Sequence, residues 1–192
     1  MQVPDFVTHY HLPSRAPFLN LSELPEVEAL SVMDELMKLR QRGEQHRLFG
    51  QTYLAWRRAT ETRLVEEFIR QGGAPARHAP HYFVLGTSPW FEGLAAGMQS
   101  VRIALADLPT DQTTFTLVDS FGAMGCGEQF GFGATPVGPL SRLYLWPRDR
   151  RVLDEYEQPT DEPDTDYTTY ASRPVHHFVE MQVWQDLGRS PS

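Results

Sequence analysis

Lysine is nearly missing from this chain of 192 residues: Lys38 is the only one among 17 basic residues. A GC-rich coding bias is the plainest account of that preference for arginine. Cysteine is just as scarce, and Cys126 stands alone. A lone cysteine excludes an internal disulfide framework and a multi-cysteine zinc site, and it fits a reducing cytoplasm. Long apolar runs are absent too, and no stretch approaches the ~20 residues that would span a bilayer. The opening "MQVPDFVTHYHLP" has neither the basic n-region nor the apolar h-region of a secretory signal. Positive charge in excess is also lacking. Between Asp154 and Arg173 stand seven acids and one base, so that segment holds −6 of the net −8 and the body is nearly neutral. A large duplex nucleic-acid footprint needs a basic face, and this balance disfavours one.

What is present is enough to fold. Apolar residues make up 41% and aromatics 11%, which sets the chain apart from disordered sequences. The length suits one domain spanning 1–192 with a full core. Residues 1–21 read as an irregular or strand-like arm. "SELPEVEALSVMDELMKLRQRG" then predicts a helix, with Ser22 as N-cap, Pro25 in the first turn and Gly43 as the stop. Val27, Leu30, Met33 and Met37 would form its apolar stripe. A second helix is expected over 51–71, because Tyr53, Trp56, Thr60, Leu64 and Phe68 recur at helical spacing. The pairs Arg57–Glu61, Arg63–Glu67 and Glu66–Arg70 would lie on its wet side.

Beyond Ala79 the period changes to two. Strands are predicted at His81–Leu85, Val101–Leu105, Thr114–Val118, Arg142–Trp146 and Val175–Trp184. A long Gly-rich loop (about 121–139) and an acidic loop (about 154–173) interrupt them. Helices first and strands afterwards predict an α+β fold, a helical N-terminal half packed on a mainly antiparallel or mixed sheet.

Several groups could carry chemistry. Seven histidines include the pairs His9/His11, His78/His81 and His176/His177. An open catalytic metal site needs about three ligands, and no complete ligand motif is present. The glycines of the Gly-rich loop miss phosphate-loop spacing, and nothing marks Cys126 as a nucleophile. The acidic loop lacks the Gly and distal Glu of a helix-loop-helix calcium site. Glu180 stands out. In "HHFVEMQVW" strand alternation places Phe178, Glu180, Gln182 and Trp184 on one face, a carboxylate and an amide between two aromatics. On an outer face that is a wet glutamate; in a cleft it is a site for a cationic ring or an oxocarbenium-like centre.

Four segments occur in a telling order: "FVTHYH" (Phe6–His11), "APHYFVLGTSPWF" (Ala79–Phe91), "FTLVDS" (Phe115–Ser120) and "FVEMQVW" (Phe178–Trp184). Together they resemble DarT-type ADP-ribosyltransferases, small NAD-using toxins with a Thr-His strand, a Tyr/Phe-rich Ser-Pro stretch, a Thr-Asp motif and a late catalytic Glu. The resemblance covers about a fifth of the chain. Thr87 stands where the family has an Arg before its Ser-Pro, and the helical stretch between the first two motifs is foreign to it. The resemblance implies NAD as substrate, Glu180 and His9 as catalytic residues, and Thr8 beside the nicotinamide ribose. It implies Tyr82 or Phe83 against nicotinamide, with His11, Ser88, Trp90 and Gln182 as further cofactor contacts. The acceptor of any ADP-ribose is left open. Two other readings stand beside this one: a non-catalytic domain that binds a ligand or partner through the aromatic segment, and a His-ligated metal enzyme.

Overall fold

A computed structural model describes residues 3–47, 50, 52–126, 136–156, 167 and 178–188. Among these, six strands form one antiparallel sheet: β1 (Phe6–His11), β2 (His81–Leu85), β3 (Gln99–Ala104), β4 (Thr113–Thr116), β5 (Tyr144–Leu145) and β6 (Glu180–Val183). Their spatial order is β3-β1-β2-β6-β4-β5, and every neighbouring pair is antiparallel. Five α-helices accompany them: α1 (Glu26–Gln41), α2 (Tyr53–Arg70), α3 (Pro89–Glu92), α4 (Ser120–Ala123) and α5 (Arg151–Glu155). The α+β expectation holds. No helix among the described residues is long and apolar enough to cross a membrane.

Alternation divides the sheet into two faces. Val7, Phe83, Leu85, Phe115, Met181 and Val183 point to one face and pack with Leu105, Leu108, Trp146 and Leu153. On the opposite face Trp184 meets Leu64 and Phe68 of α2, while Val84 meets Trp90 of α3. Each large side chain so buried contributes roughly 1.5–3 kcal/mol. Helix α1 reaches this layer through α2, with Ala29 and Met33 against Tyr53 and Leu54.

The helices depart from expectation in three places. Ser22 does not cap α1. Its N–H donates to Asn20 Oδ1 at 3.1 Å, so it opens a separate 3-10 turn, Leu21–Glu23, and Pro25 takes the N-cap position of α1 in extended geometry. The α1 stripe is also rotated. Val27 and Leu30 are exposed; Met33 is buried as expected, and Ala29 and Leu36 join it, because only a narrow face of α1 meets α2. Third, Arg57 and Glu61 are not on the wet side of α2. Their side chains are only 13% and 5% exposed, because the buried face of α2 widens to take in Glu61 beside Asn20 and Tyr82. Arg70 pairs with Glu67 rather than Glu66, and Arg63 turns to the Met124 carbonyl.

Both helices stop where glycine permits it. Gly43 and Gly72 have φ of 71° and 92°. The strand regions match expectation, with shifted ends. The final strand begins at Glu180, and positions 175–177 lie outside the described residues. The first part of the expected Gly-rich loop is helical, as α4, and 127–135 lie outside the described residues; so does most of the acidic loop.

Candidate active site around Glu180

The four resembling segments lie on adjacent strands, β1-β2-β6-β4. Register then fixes which side chains meet. Thr8 pairs with Val84, Val84 with Glu180 and Glu180 with Thr116, one row across four strands. The next row on the same face runs Tyr82, Gln182, Thr114. Thr8 and Glu180 thus share a face two strands apart, roughly 10 Å between backbones.

Glu180 is partly buried and held from two sides. Gln182 Nε2 donates to its Oε1 at 3.1 Å, and the Ser120 hydroxyl hydrogen-bonds its carboxylate from the start of α4. Ser120 is placed there by Asp119, whose carboxylate accepts the Gly122 N–H at 2.8 Å and caps α4. Burial, with the nearby Asp119 charge adding to it, raises the Glu180 pKa to about 7 against the lowering effect of Ser120, Gln182 and Arg57. A row of buried polar groups backs this carboxylate. Trp184 Nε1–H donates to Thr114 Oγ1 (2.8 Å), Thr114 donates to Gln182 Oε1 (2.9 Å), and Gln182 Nε2 also reaches Thr116 Oγ1 (3.1 Å). An ionised carboxylate only accepts, so Glu180 draws the Gln182 NH₂ and leaves Oε1 to accept from Thr114.

Helix α2 brings a cation to the same side. The Arg57 guanidinium lies 4.3 Å from the Tyr82 ring centroid, its Nε is 3.2 Å from Glu61 Oε1, and Nη1 donates to Tyr53 Oη at 3.3 Å. Burial opposes its charge, but Tyr53, Tyr82 and Glu61 together outweigh burial and raise its pKa. Burial and the Glu61 charge push the Tyr82 phenol well above its usual range, and its hydroxyl donates to Glu61 at 3.2 Å. Phe121, next to Ser120, is partly exposed and stacks on Trp56 with centroids 4.3 Å apart.

The structure therefore gathers Glu180, Gln182, Tyr82 and Thr8 on one face. Thr8 is engaged, its hydroxyl donating to the Gly86 carbonyl at 2.5 Å. His9, His11 and Phe83 are not in this group. One residue from Thr8, His9 points to the other face, where its ring lies 5.6 Å from Phe83 and 4.9 Å from Phe18. Its two nitrogens are both used: Nδ1 bonds the Tyr82 carbonyl at 2.8 Å and Nε2 accepts the Phe18 N–H at 3.0 Å. By strand alternation His9, one of the two residues expected to be catalytic, does not share the Glu180 face. His11 donates from Nδ1 to the Arg15 carbonyl at 2.9 Å, and Phe83 sits in the core. Ser88 is buried and caps α3 through the Phe91 N–H (3.2 Å), while Trp90 packs with Val84, Leu94 and Phe178. Both serve architecture beside the site.

Ser120, Arg57 and Glu61 have places here that sequence reading did not assign. Asp-Ser directly after a strand is a helix-capping signal that could have marked Ser120; Arg57 and Glu61 carried the signature of a solvated pair. Among the described residues no group of three or more His, Cys, Asp or Glu side chains is arranged to hold a metal ion. His78 is exposed, His46 stacks on Tyr167, and His176 and His177 lie outside the described residues. Cys126 is buried. Compared with known proteins, the chain matches no family model, no curated protein and no solved structure.

Proposed function

We propose that this chain consumes NAD, as an ADP-ribosyltransferase or NAD glycohydrolase, with Glu180 as the carboxylate at the reacting centre. The observation that carries this reading is the convergence of the four resembling segments on adjacent strands, with Thr8, Tyr82, Gln182 and Glu180 sharing a face. Cleavage of the bond between nicotinamide and ribose C1′ leaves positive charge on the sugar. A carboxylate fixed by Gln182 and Ser120 favours that charge more in the transition state than in the bound substrate, which is how a preorganised group accelerates a reaction. Water or an acceptor hydroxyl then attacks C1′, nicotinamide leaves with the bonding pair, and the attacking oxygen loses a proton.

The roles differ from those implied by resemblance alone. His9 is left out of the reaction. Arg57 already covers one side of the Tyr82 ring, so the aromatic wall for nicotinamide is Phe121, stacked on Trp56. Ser120 is a positioning residue for Glu180. The lone cysteine suits a protein that works in the cytoplasm.

The test is nicotinamide release from NAD, with and without DNA, RNA, protein and nucleoside acceptors. Wild type should release nicotinamide and Glu180→Gln should lose on the order of 10²–10³-fold in turnover. Because the ionised carboxylate is required, turnover should rise with pH through about 7. Wild type without turnover, or indistinguishable from Glu180→Gln, would sink the proposal.

A further inference from the structure

The segment between β1 and α1 holds a constellation that the Glu180 site does not use. Phe18 has φ of 64°, the left-handed region, alone among described non-glycine residues. A bulky side chain avoids this region because Cβ crowds the following carbonyl. Two histidines hold it there. The Phe18 N–H donates to His9 Nε2 at 3.0 Å, and His9 Nδ1–H donates to the Tyr82 carbonyl at 2.8 Å. His81 on β2 hydrogen-bonds the Phe18 backbone in a way that favours its protonated ring, so the ring donates and the Phe18 carbonyl accepts. His81 Nδ1 is buried without a hydrogen-bond partner, which leaves Nε2 as the donor. The Phe18 ring packs against both, with centroids 4.9 Å from His9 and 5.4 Å from His81.

His9 can accept from Phe18 only when neutral, whereas the His81 Nε2–H donates in either state and only its Nδ1 must stay bare; the two neutral rings are opposite tautomers. A proton on His9 Nε2 would set a donor against the Phe18 N–H. A proton on His81 Nδ1 would put a charged donor where no acceptor stands. We propose that His9 and His81 form an acid-released clasp on Phe18, which frees residues 12–20 when both rings take up a proton. The charged and titratable groups around them sharpen this. His9 has His11 beside it on β1 and feels the Arg57 charge from across the sheet; His81 lies near His9 and Arg77, which is itself paired with Glu23 and Asp186. Among the described residues, no carboxylate is one of the groups that act on either ring. Burial is the largest cause that lowers both pKa values, from 6.5 to about 4.

Release reaches the Glu180 side of the sheet. Two residues beyond Phe18, Asn20 Nδ2 donates to the Pro80 carbonyl at 3.0 Å and to Glu61 at 3.4 Å, and Glu61 in turn holds Arg57 and the Tyr82 hydroxyl. Opening the clasp withdraws Asn20 from that group.

With open rings titrating at 6.5 and clasped rings at about 4, the opening equilibrium rises about 20-fold per ring, roughly 400-fold together, between about pH 7 and about pH 5. The experiment is hydrogen exchange of the full chain, read at the Phe18 amide from about pH 7 down to about pH 4.5 and corrected for intrinsic exchange. Phe18 protection should fall with the uptake of two protons while β2 and β6 amides stay protected. The His9→Gln/His81→Gln double variant should show a pH-independent level of Phe18 protection. The proposal is overturned if wild-type protection is flat, if it is lost only together with β2 and β6, or if the double variant keeps the wild-type pH dependence. Should that variant not fold, imidazole ¹⁵N shifts of wild type decide. Neutral His9 with Nδ1–H and neutral His81 with Nε2–H at about pH 7, titrating with the Phe18 amide, support the clasp; a charged ring, or titration apart from that amide, overturns it.

Discussion

Replacing Glu180 by Gln should make the protein more stable at alkaline pH, and the size of the gain can be worked from the structure. Glutamine is close to isosteric. Its Oε1 can accept from Gln182 Nε2, and its Nε2 can donate to the Ser120 hydroxyl oxygen. What changes is the charge. In the unfolded chain Glu180 titrates near 4.5, in the folded chain at about 7. Between those values the folded state binds the additional proton, so wild-type stability falls as pH rises through that window and stays low above it. The full shift of about 2.5 units corresponds to about 3 kcal/mol, and solvent at the partly exposed carboxylate trims that to about 2–3. The variant, neutral throughout, escapes this loss. Its advantage should therefore be about 1 kcal/mol at pH 5 and about 2–3 kcal/mol at pH 8, or about 4–12 °C in Tm for a chain of this length. Urea denaturation of both proteins across that range measures the difference, and the acid sensitivity of His9 and His81 cancels because both proteins share it. An advantage that does not change with pH, or a wild type more stable at pH 8, would refute the reasoning.

Ser120→Ala should move the Glu180 midpoint upward by about one unit, since a hydrogen bond to a charged group is worth roughly 1.5–3 kcal/mol and part of it returns through water; carboxyl ¹³C titration reads this directly. Arg57→Met should cost about 3–5 kcal/mol by stranding Glu61, whereas Arg57→Met/Glu61→Gln should recover much of it, and a double-mutant cycle by denaturation would expose an additive pair. Gly73→Ala should destabilise by about 1–3 kcal/mol, because a Cβ there would stand 2.0 Å from Phe68 Cε2, a ring packed on Trp184. A Tm unchanged by that substitution would contradict the packing described.

The sheet was legible where alternation was strong. "HYFVL" reads as a strand and is one, and "FVEMQVW" correctly places Glu180 and Gln182 on a common face. The same alternation could have separated His9 from Glu180, had strand register been known; adjacency of Thr8 and His9 in sequence concealed that they serve opposite faces. Arg57–Glu61 was misplaced for a different reason. An i,i+4 ion pair looks identical in sequence whether water or a tyrosine ring covers it, and only the position of β2 under α2 decides. Phe18 gave no local signal at all. Its backbone is set by two histidines, one nine residues earlier on β1 and one brought by β2, so no short window around it could have foretold it.

The buried row behind Glu180 also stores direction. Its donors all point one way, from Trp184 through Thr114 to Gln182 and on to the carboxylate. The ionised carboxylate has no hydrogen to give, so a flipped Gln182 amide would set its oxygen against Glu180 and lose that bond. The amide is thereby locked, and Glu180 Oε1 with it. On the proposed function, the substrate would meet a carboxylate whose rotation has already been spent, aimed before anything binds.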